Sequence, residues 1–219
     1  SQSDVVDSSI PPPQSLSFSI HSFLLVHLRM DDLQKSHPNT DPFLIQKWER
    51  IFSVFFDRNS SKKMDWGDFY LVTRKVREIY GAESVQWDFA RQALAALWEG
   101  LCKMADADHD QLISLNEWIS TLEKIDTKHP QKWFADYRNF MFQLFDVSKD
   151  GVLDMAEYCD GMLLYGVHER QAQEAFKAMT NDPCAKLKPE QWGKFFDELF
   201  FSKDKSAKGN HLFGIVLNK

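Results

Sequence analysis

The 219-residue sequence lacks the features that mark several common protein classes. Its three cysteines, Cys102, Cys159 and Cys184, are an odd number without framework spacing, which predicts free thiols in a reducing compartment. No apolar run approaches the roughly 18 residues of a membrane span, so we expect no stable span. No basic cluster is long enough to follow a phosphate backbone, and the net charge is −6. We therefore expect no nucleic-acid partner.

Motifs of catalysis are missing as well. His168 to Ala172 begins like a zinc-protease motif but has no second histidine four residues on. No glycine-rich loop with Lys-Ser or Lys-Thr is present, and nothing in the sequence context marks a nucleophile. We therefore expect a protein that is not an enzyme. Hydrophobic residues make up 43% of the chain, enough to bury a sizeable core.

What the sequence does contain is a cation-binding loop at residues 146–157, DVSKDGVLDMAE. A hard cation needs six to eight oxygen ligands, and a twelve-residue loop supplies them from alternate positions. Gly151 stands at the sixth position, where the chain must turn with positive φ. This spacing predicts an EF-hand loop that binds Ca²⁺. The expected ligands are Asp146, Ser148, Asp150, the Val152 carbonyl, Asp154 and Glu157.

A second loop with the same spacing covers residues 106–117. It departs from the pattern at its sixth position, where Gln111 replaces glycine and must adopt a conformation costing about 1–2 kcal/mol. Three crowded aspartates repel one another without a cation, and this repulsion favours binding. The expected Ca²⁺ ligands are Asp106, Asp108, Asp110, the Leu112 carbonyl, Ser114 and Glu117.

The loop at residues 57–68 permits two interpretations. Its candidate ligands are Asp57, Asn59, Ser61, the Lys63 carbonyl, Asp65 and Asp68. Lys62 and Lys63 place positive charge beside the site, and the closing Asp68 is shorter than glutamate. The loop is either a mixed Ca²⁺/Mg²⁺ site or a structural partner of the second loop without an ion. The chain is therefore expected to bind two to three Ca²⁺ ions, with Mg²⁺ as a competitor in this loop.

Residues 180–191 keep the register of the other loops and have lost the ligands. Thr180 and Gln191 occupy the first and last positions, and Pro183 stiffens the loop. We predict no ion there. Four helix–loop–helix units at this spacing form an internal repeat. Their eighth positions are apolar, and these residues are expected to pair the loops, first with second and third with fourth: Met64, Ile113, Leu153 and Leu187.

The predicted fold is all-α, with four EF-hand units packed as two pairs in one compact body. We expect an N-terminal tail at residues 1–40, flexible or containing a short helix, because a Pro triplet and polar residues precede one apolar segment. The first pair is predicted at residues 41–126 and the second at 127–201. Residues 202–219 form a C-terminal tail whose apolar residues are expected to pack on the body.

The repeat resembles the invertebrate sarcoplasmic calcium-binding protein family, including its calexcitin members, over residues 41–213. The resemblance rests on the wide spacing from Asp57 to Asp106, on Asp68 closing the first loop, and on Trp66 and Trp118 beside the loops. The fourth loop without ligands also fits. The family pattern implies ions in the first three loops and a largely helical, compact, cytoplasmic protein.

The resemblance implies a calexcitin-type calcium signalling sensor, acting on a target such as an ion channel. A closed Ca²⁺/Mg²⁺ buffer is the alternative. A luciferin-binding or photoprotein-like carrier shares the four-unit architecture, but photoproteins lose their second site and not their fourth. The GTP binding reported for calexcitins has no support in these residues. We expect a monomer.

Overall fold

The computed structural model describes residues 29–129 and 131–214, which form parts of two compact units, Ser1–Pro38 and Asn39–Lys219. In the first unit, residues 29–36 are helical (α1). The expectations for the rest of the N-terminal tail, and for Ile215 and Val216, lie outside the described residues. The second unit contains all four loops, and its predicted division at residue 126 stays a prediction.

The second unit is helical apart from two short strands, which confirms the predicted fold class. Its elements are α2 (Pro42–Arg50), a π-helix (Ile51–Phe56), β1 (Lys63–Met64), α3 (Trp66–Tyr80), α4 (Val85–Ala105), β2 (Ile113–Ser114), α5 (Leu115–Glu123), α6 (Lys132–Phe145), α7 (Met155–Leu164), α8 (Glu169–Thr180), α9 (Pro189–Phe201) and a 3-10 helix (Lys208–His211). No helix in the described parts of the chain has the length and apolar character needed to cross a membrane.

Local sequence signals explain where several helices begin and end. Asp41 caps α2 through a 2.8 Å bond from the Phe43 amide, and Pro42 occupies the first turn. Ser84 caps α4 by accepting a 3.1 Å bond from the Trp87 amide. Gly81 ends α3 with φ of 93°, a conformation that costs glycine little. The sequence therefore encodes these boundaries locally.

The helix that leads into the first loop is not a regular α-helix throughout. After Arg50 it widens into a π-helix, and the Asp57 amide donates to the Phe52 carbonyl five residues back, at 2.8 Å. Phe52, Phe55 and Phe56 are all buried. The wider turn brings these three rings into the core together, which explains why tertiary packing overrides the regular helix.

The eighth residues pair the loops as predicted. β1 and β2 are antiparallel, with Met64 opposite Ile113. Leu153 and Leu187 form a bridge in which each amide donates to the other residue's carbonyl at 2.8 Å. All four side chains are buried. Each pair of loops is thus joined back to back by two apolar residues.

Aromatic rings fill the centre of the second unit. Phe55 stacks on Tyr165 and on Phe213, with centroid distances of 4.2 and 3.9 Å. Trp118 is buried and its indole donates to the Trp48 carbonyl at 3.1 Å. Leu212 is also buried, so the described end of the C-terminal tail packs on the body as expected.

Candidate metal centres

The second loop gathers its carboxylates around one point. Asp106, Asp108 and Glu117 each place a ligand oxygen within 4.8 Å of the others. The Asp106 carboxylate accepts bonds from the Asp110 and Gln111 amides, at 3.2 and 3.0 Å. These amide bonds hold the acidic side chain toward the loop interior. The arrangement offers a preformed set of hard oxygen donors, the ligand chemistry that Ca²⁺ prefers.

The third loop repeats this geometry. Asp146, Asp150 and Glu157 form the second carboxylate cluster, again with ligand oxygens within 4.8 Å. Asp146 accepts from the Asp150 amide at 3.2 Å and from the Gly151 amide at 3.0 Å. The Ser148 hydroxyl lies 3.5 Å from the Asp146 carboxylate. The donor set therefore fits the same hard cation.

The ninth and twelfth positions also begin the outgoing helices. In the second loop the Ser114 amide donates to Glu117 at 2.8 Å, while the Ser114 hydroxyl lies 3.3 Å from the Glu117 amide. In the third loop the Glu157 amide donates to Asp154 at 2.9 Å, and the Asp154 amide lies 3.4 Å from Glu157. These capping boxes orient each closing glutamate, because the same carboxylate caps the helix and faces the loop.

Left-handed backbone occurs at the sixth position of all three loops, with φ of 70° at Lys62, 62° at Gln111 and 80° at Gly151. The positive φ predicted at Gly151 and Gln111 is confirmed, and Lys62 adopts the same conformation. The fourth position is left-handed too, at Ser60, His109 and Lys149. This second turn was not predicted from the sequence, although the polar residues found there are typical of it.

The first loop has the backbone of its neighbours and a weaker donor set. Asp57 accepts from the Ser61 and Lys62 amides, each at 2.9 Å. The Ser61 hydroxyl donates to the Lys63 carbonyl at 2.7 Å, so two candidate ligands bond to each other. Among the described residues this loop has no cluster of three carboxylates within 4.8 Å. One Asp65 oxygen is nevertheless buried without a hydrogen-bond partner there.

The closing Asp68 faces the interior of the first loop. It accepts from the Asn59 amide at 3.0 Å and the Asp65 amide at 2.9 Å. Burial raises the pKa of Asp68, and these two hydrogen bonds oppose the increase. A buried carboxylate and an unpartnered buried oxygen both favour a cation in this loop, because a positive ion compensates both.

The Lys63 ammonium does not lie over the first loop, where sequence analysis placed its charge. It bonds to Asp110 of the second loop at 3.2 Å. Lys186, the equivalent residue of the fourth loop, lies 3.5 Å from Asp150 of the third loop. In each pair, therefore, the seventh residue of one loop neutralises the fifth of the other. The antiparallel pairing of the loops brings these residues together.

Amide hydrogen bonds lower the pKa of the fifth-position aspartates. The Leu112 amide bond at 2.8 Å lowers the pKa of Asp110, and the nearby Lys63 charge adds to the effect. The pKa of Asp150 is lowered in the same way by the Val152 amide and then by Lys186. For Glu117, burial raises the pKa, but hydrogen bonds from Ser114 and Ala107 outweigh it and the net shift is downward.

The fourth loop adopts a different backbone. Its left-handed residue is Asn181, with φ of 58°, at the second position and not at the fourth or sixth. Pro183 occupies the fourth position, and the proline ring fixes φ near −65°. The binding conformation is therefore closed to this loop regardless of its ligands. The Thr180 hydroxyl lies 2.8 Å from the carbonyl oxygens of both Phe176 and Asp182 and can donate to one of them at a time.

No protein-family model matches the chain. It is 59% identical over 191 residues to Calexcitin-1 of Caenorhabditis elegans, covering 85% of this chain and 94% of that protein. It is 26% identical over 123 residues to sarcoplasmic calcium-binding proteins I, III, and IV of Branchiostoma lanceolatum, covering 53% of this chain and 66% of theirs.

A solved structure of a sarcoplasmic calcium-binding protein from amphioxus has the same fold, with a TM-score of 0.66 and 21% identity. The match covers 81% of this chain and 100% of that one. This identity is low, so the likeness concerns the fold alone. The four-unit arrangement described above is thus a known architecture.

Proposed function

The chain belongs to the calexcitin family of EF-hand calcium-binding proteins, and we propose that it is a calcium sensor whose second and third loops are its main sites. The observation that carries this proposal is the pair of carboxylate clusters, Asp106 with Asp108 and Glu117, and Asp146 with Asp150 and Glu157. Each lies in a loop whose sixth residue is left-handed.

Within the second loop we assign Asp106, Asp108 and Asp110 as side-chain ligands and Glu117 as the bidentate closing ligand. Ser114 acts directly or through water, and Leu112 supplies its carbonyl. The third loop uses its equivalents, which are Asp146, Ser148, Asp150, Asp154, Glu157 and the Val152 carbonyl. A bound ion supplies positive charge at the centre of each cluster, and the chain supplies the position and orientation of every donor.

We propose an ion in the first loop as well. The buried Asp65 oxygen without a partner among the described residues supports this, as does the burial of Asp68. The remaining donors are Asp57, Asn59, Ser61 and the Lys63 carbonyl. Aspartate at the twelfth position favours a smaller ion with six ligands, so Mg²⁺ competes with Ca²⁺ here. The fourth loop binds no ion in this proposal.

The packed centre of the unit disfavours the luciferin-carrier alternative. Where Phe55, Tyr137 and Tyr165 meet, the remaining cavity is about 10 Å³, too small for an organic ligand.

The choice between sensor and buffer depends on whether Ca²⁺ binding exposes apolar surface. We further propose a cytoplasmic, non-catalytic monomer that acts on a protein target such as an ion channel. Similarity to Calexcitin-1 supports the dependence of this role on calcium.

The test is a Ca²⁺ titration in millimolar Mg²⁺ that follows tryptophan fluorescence together with a hydrophobic dye. Trp66 and Trp118 directly follow ligand positions of the first and second loops. A sensor changes both signals at micromolar Ca²⁺. A buffer changes the tryptophan signal and leaves the dye silent. If neither signal responds and calorimetry detects no heat of binding, the proposal is wrong.

Single-site variants assign the ions to loops. Glu117→Gln and Glu157→Gln each remove one closing carboxylate while keeping side-chain size, so each should eliminate one high-affinity site. Gln191→Ala, at the same position of the fourth loop, is the matched control and should leave the number of bound ions unchanged. A loss of binding in the control would contradict the assignment.

A further inference from the structure

A groove lies between α4 and α6, and none of its lining residues is a proposed ligand of the first two loops. The helices run antiparallel: Phe89 faces Phe140 with ring centroids 5.5 Å apart, and Gly100 lies beside Trp133 at the other end. The groove has a volume of about 710 Å³. A second cavity of about 280 Å³ shares Phe89 and Gln143 with it and extends it toward the third loop.

Small side chains keep the groove open. Ala93, Ala96 and Gly100 line it from α4 at spacings of three and four residues, so they lie on one face of that helix and add little side-chain volume there. Trp133 forms a fixed wall, because its indole donates to the Leu97 carbonyl at 2.8 Å. Val85, 65% exposed, adds an apolar surface at the far end. The groove is therefore apolar, and Trp133 gives it one rigid side.

In the part of the chain that the structure describes, the charged residues that line the groove leave two lysines without an acidic partner. Lys132 and Asp136, both on the lining, form an ion pair with each other. Asp146 is a proposed cation ligand. Lys103 and Lys149 remain, one toward each end, and neither has a partner among the described residues. A cationic group at both ends of an apolar groove stands out in a chain whose net charge is −6.

One end of the groove shares residues with the third loop. Asp146 and Lys149 line it and also belong to the third loop, and α6 leads directly into Asp146. A cation bound to Asp146 offsets the carboxylate charge and makes this end more positive. Occupancy of the third loop therefore strengthens the attraction of the groove for an acidic group.

We propose that this groove docks a helical segment of a partner protein that carries an apolar stripe with an acidic residue near each end. α4 rises ~27 Å from Val85 to Lys103, which matches a segment of about five turns. An amphipathic helix laid in an apolar groove is a common recognition mode. The inference rests on the proposed sensor function, because it identifies the surface through which a sensor would act.

The probe is a synthetic, fluorescently labelled helical peptide of about 20 residues with blocked termini, a leucine stripe and glutamates at both ends. A matched peptide carries lysines in place of the glutamates. Fluorescence anisotropy with the full chain, in Ca²⁺ and in chelator, measures binding. The acidic peptide should bind at least tenfold more tightly than the basic one, and more tightly in Ca²⁺.

Two variants locate the binding. The double variant Lys103→Glu, Lys149→Glu should lower the affinity for the acidic peptide by roughly tenfold or more, because each attraction becomes a repulsion. Lys177→Glu is the control, since Lys177 is an exposed lysine in the last turn of α8, as Lys103 is in α4. Ala96→Phe fills the groove from an exposed position and should abolish binding, with circular dichroism confirming the fold.

The outcomes separate this inference from the proposed function. Calcium-dependent tryptophan fluorescence without preference for the acidic peptide overturns the docking site and leaves the calcium sites intact. No response to Ca²⁺ overturns the proposed function itself. Peptide binding that survives Ala96→Phe places the partner elsewhere. Analytical ultracentrifugation tests whether the groove instead binds a second copy of the chain. A dimer of the wild type that is absent in Ala96→Phe would show this and would also overturn the proposal.

Discussion

Individual backbone conformations distinguish the first three loops from the fourth. Gln111 and Lys62 adopt φ of 62° and 70°, values that glycine adopts freely and side chains resist. The loops tolerate this strain because the turned amides donate to Asp106 and Asp57. Pro183 shows the opposite case, since its ring excludes the left-handed conformation. One residue in each loop thus decides whether the backbone can form a cation site.

Exchange of residues at the sixth position should shift stability in opposite directions. Gln111→Gly relieves left-handed strain and should raise the free energy of unfolding by up to about 1 kcal/mol. Gly151→Gln introduces the same strain in the third loop and should lower it by about 1–2 kcal/mol. Urea denaturation in chelator measures both. Equal signs for the two variants would contradict the argument.

A buried lysine joins the two ends of the second unit. Lys47 on α2 donates to the Glu198 and Ser202 carbonyls near the end of α9, at 2.9 and 2.6 Å, and to the Asn210 side chain at 3.1 Å. Burial lowers the pKa of Lys47 from 10.5 to about 8, while the Glu198 and Asp41 carboxylates oppose the shift.

Lys47 should make stability depend on alkaline pH. Because its folded-state pKa lies below the unfolded value, the unfolded chain binds more protons between about pH 8 and 10.5. Its contribution to the free energy of unfolding therefore rises across this window and falls as the pH drops through 8. The difference between wild type and Lys47→Met, measured by urea denaturation from pH 7.5 to 9.5, should increase with pH. A flat or falling difference would refute the assignment.

At the scale of elements, each loop pair contains an asymmetric electrostatic contact. Lys63 bonds to Asp110 across β1 and β2, and Lys186 approaches Asp150 across the bridge of the second pair. Each lysine competes with a cation for a carboxylate that we assign as a ligand. We therefore expect the weaker loop of each pair to reduce the Ca²⁺ affinity of the stronger one through its seventh residue.

Removal of either lysine should raise Ca²⁺ affinity. Lys63→Met should raise the Ca²⁺ affinity of the second loop, and Lys186→Met should raise that of the third. Each increase should be a factor of about two to five, the range expected for an exposed ion pair. Competition with a fluorescent chelator at low ionic strength provides the measurement. Lys177→Met, which removes an exposed lysine outside the loops, should change neither site. Weaker binding in the loop variants would show that the lysines help to form the sites.

Across the whole second unit, the first loop contacts the outgoing helix of the third. The Arg58 guanidinium donates to the Tyr165 carbonyl at the end of α7. Burial lowers the pKa of Arg58. Gly166 lies beside the guanidinium, and a Cβ atom at that position would be 2.9 Å from its nitrogen. The Arg58 side chain therefore links the two pairs of loops by a hydrogen bond near the aromatic centre.

Loss of this connection should destabilise the unit as a whole. Arg58→Ala removes a charge-assisted hydrogen bond and leaves the Tyr165 carbonyl without this donor, so the free energy of unfolding should fall by roughly 1.5–3 kcal/mol. Arg74→Ala removes an exposed arginine paired with Glu78 and should change stability by less than about 0.5 kcal/mol. Thermal and urea denaturation compare the two; equal losses would contradict a connecting role.

The sequence by itself determined the four-unit helical fold, the pairing of Met64 with Ile113 and Leu153 with Leu187, and the positive φ at the sixth positions. The helix ends and turns follow from signals that act within a dozen residues, such as ligand spacing, glycine and helix caps. The pairing of the loops follows from the internal repeat, because each loop carries an apolar residue at the same eighth position. The positions of the expected ligands also followed from spacing, and their role in binding stays a prediction.

Only the tertiary structure decided the features that depend on distant partners. The contacts of Lys63 with Asp110 and of Arg58 with Tyr165 join residues 47 and 107 positions apart. The π-helix before the first loop and the burial of Lys47 likewise follow from packing. No local pattern encodes them, because their energies arise from groups that meet only after the helices have assembled.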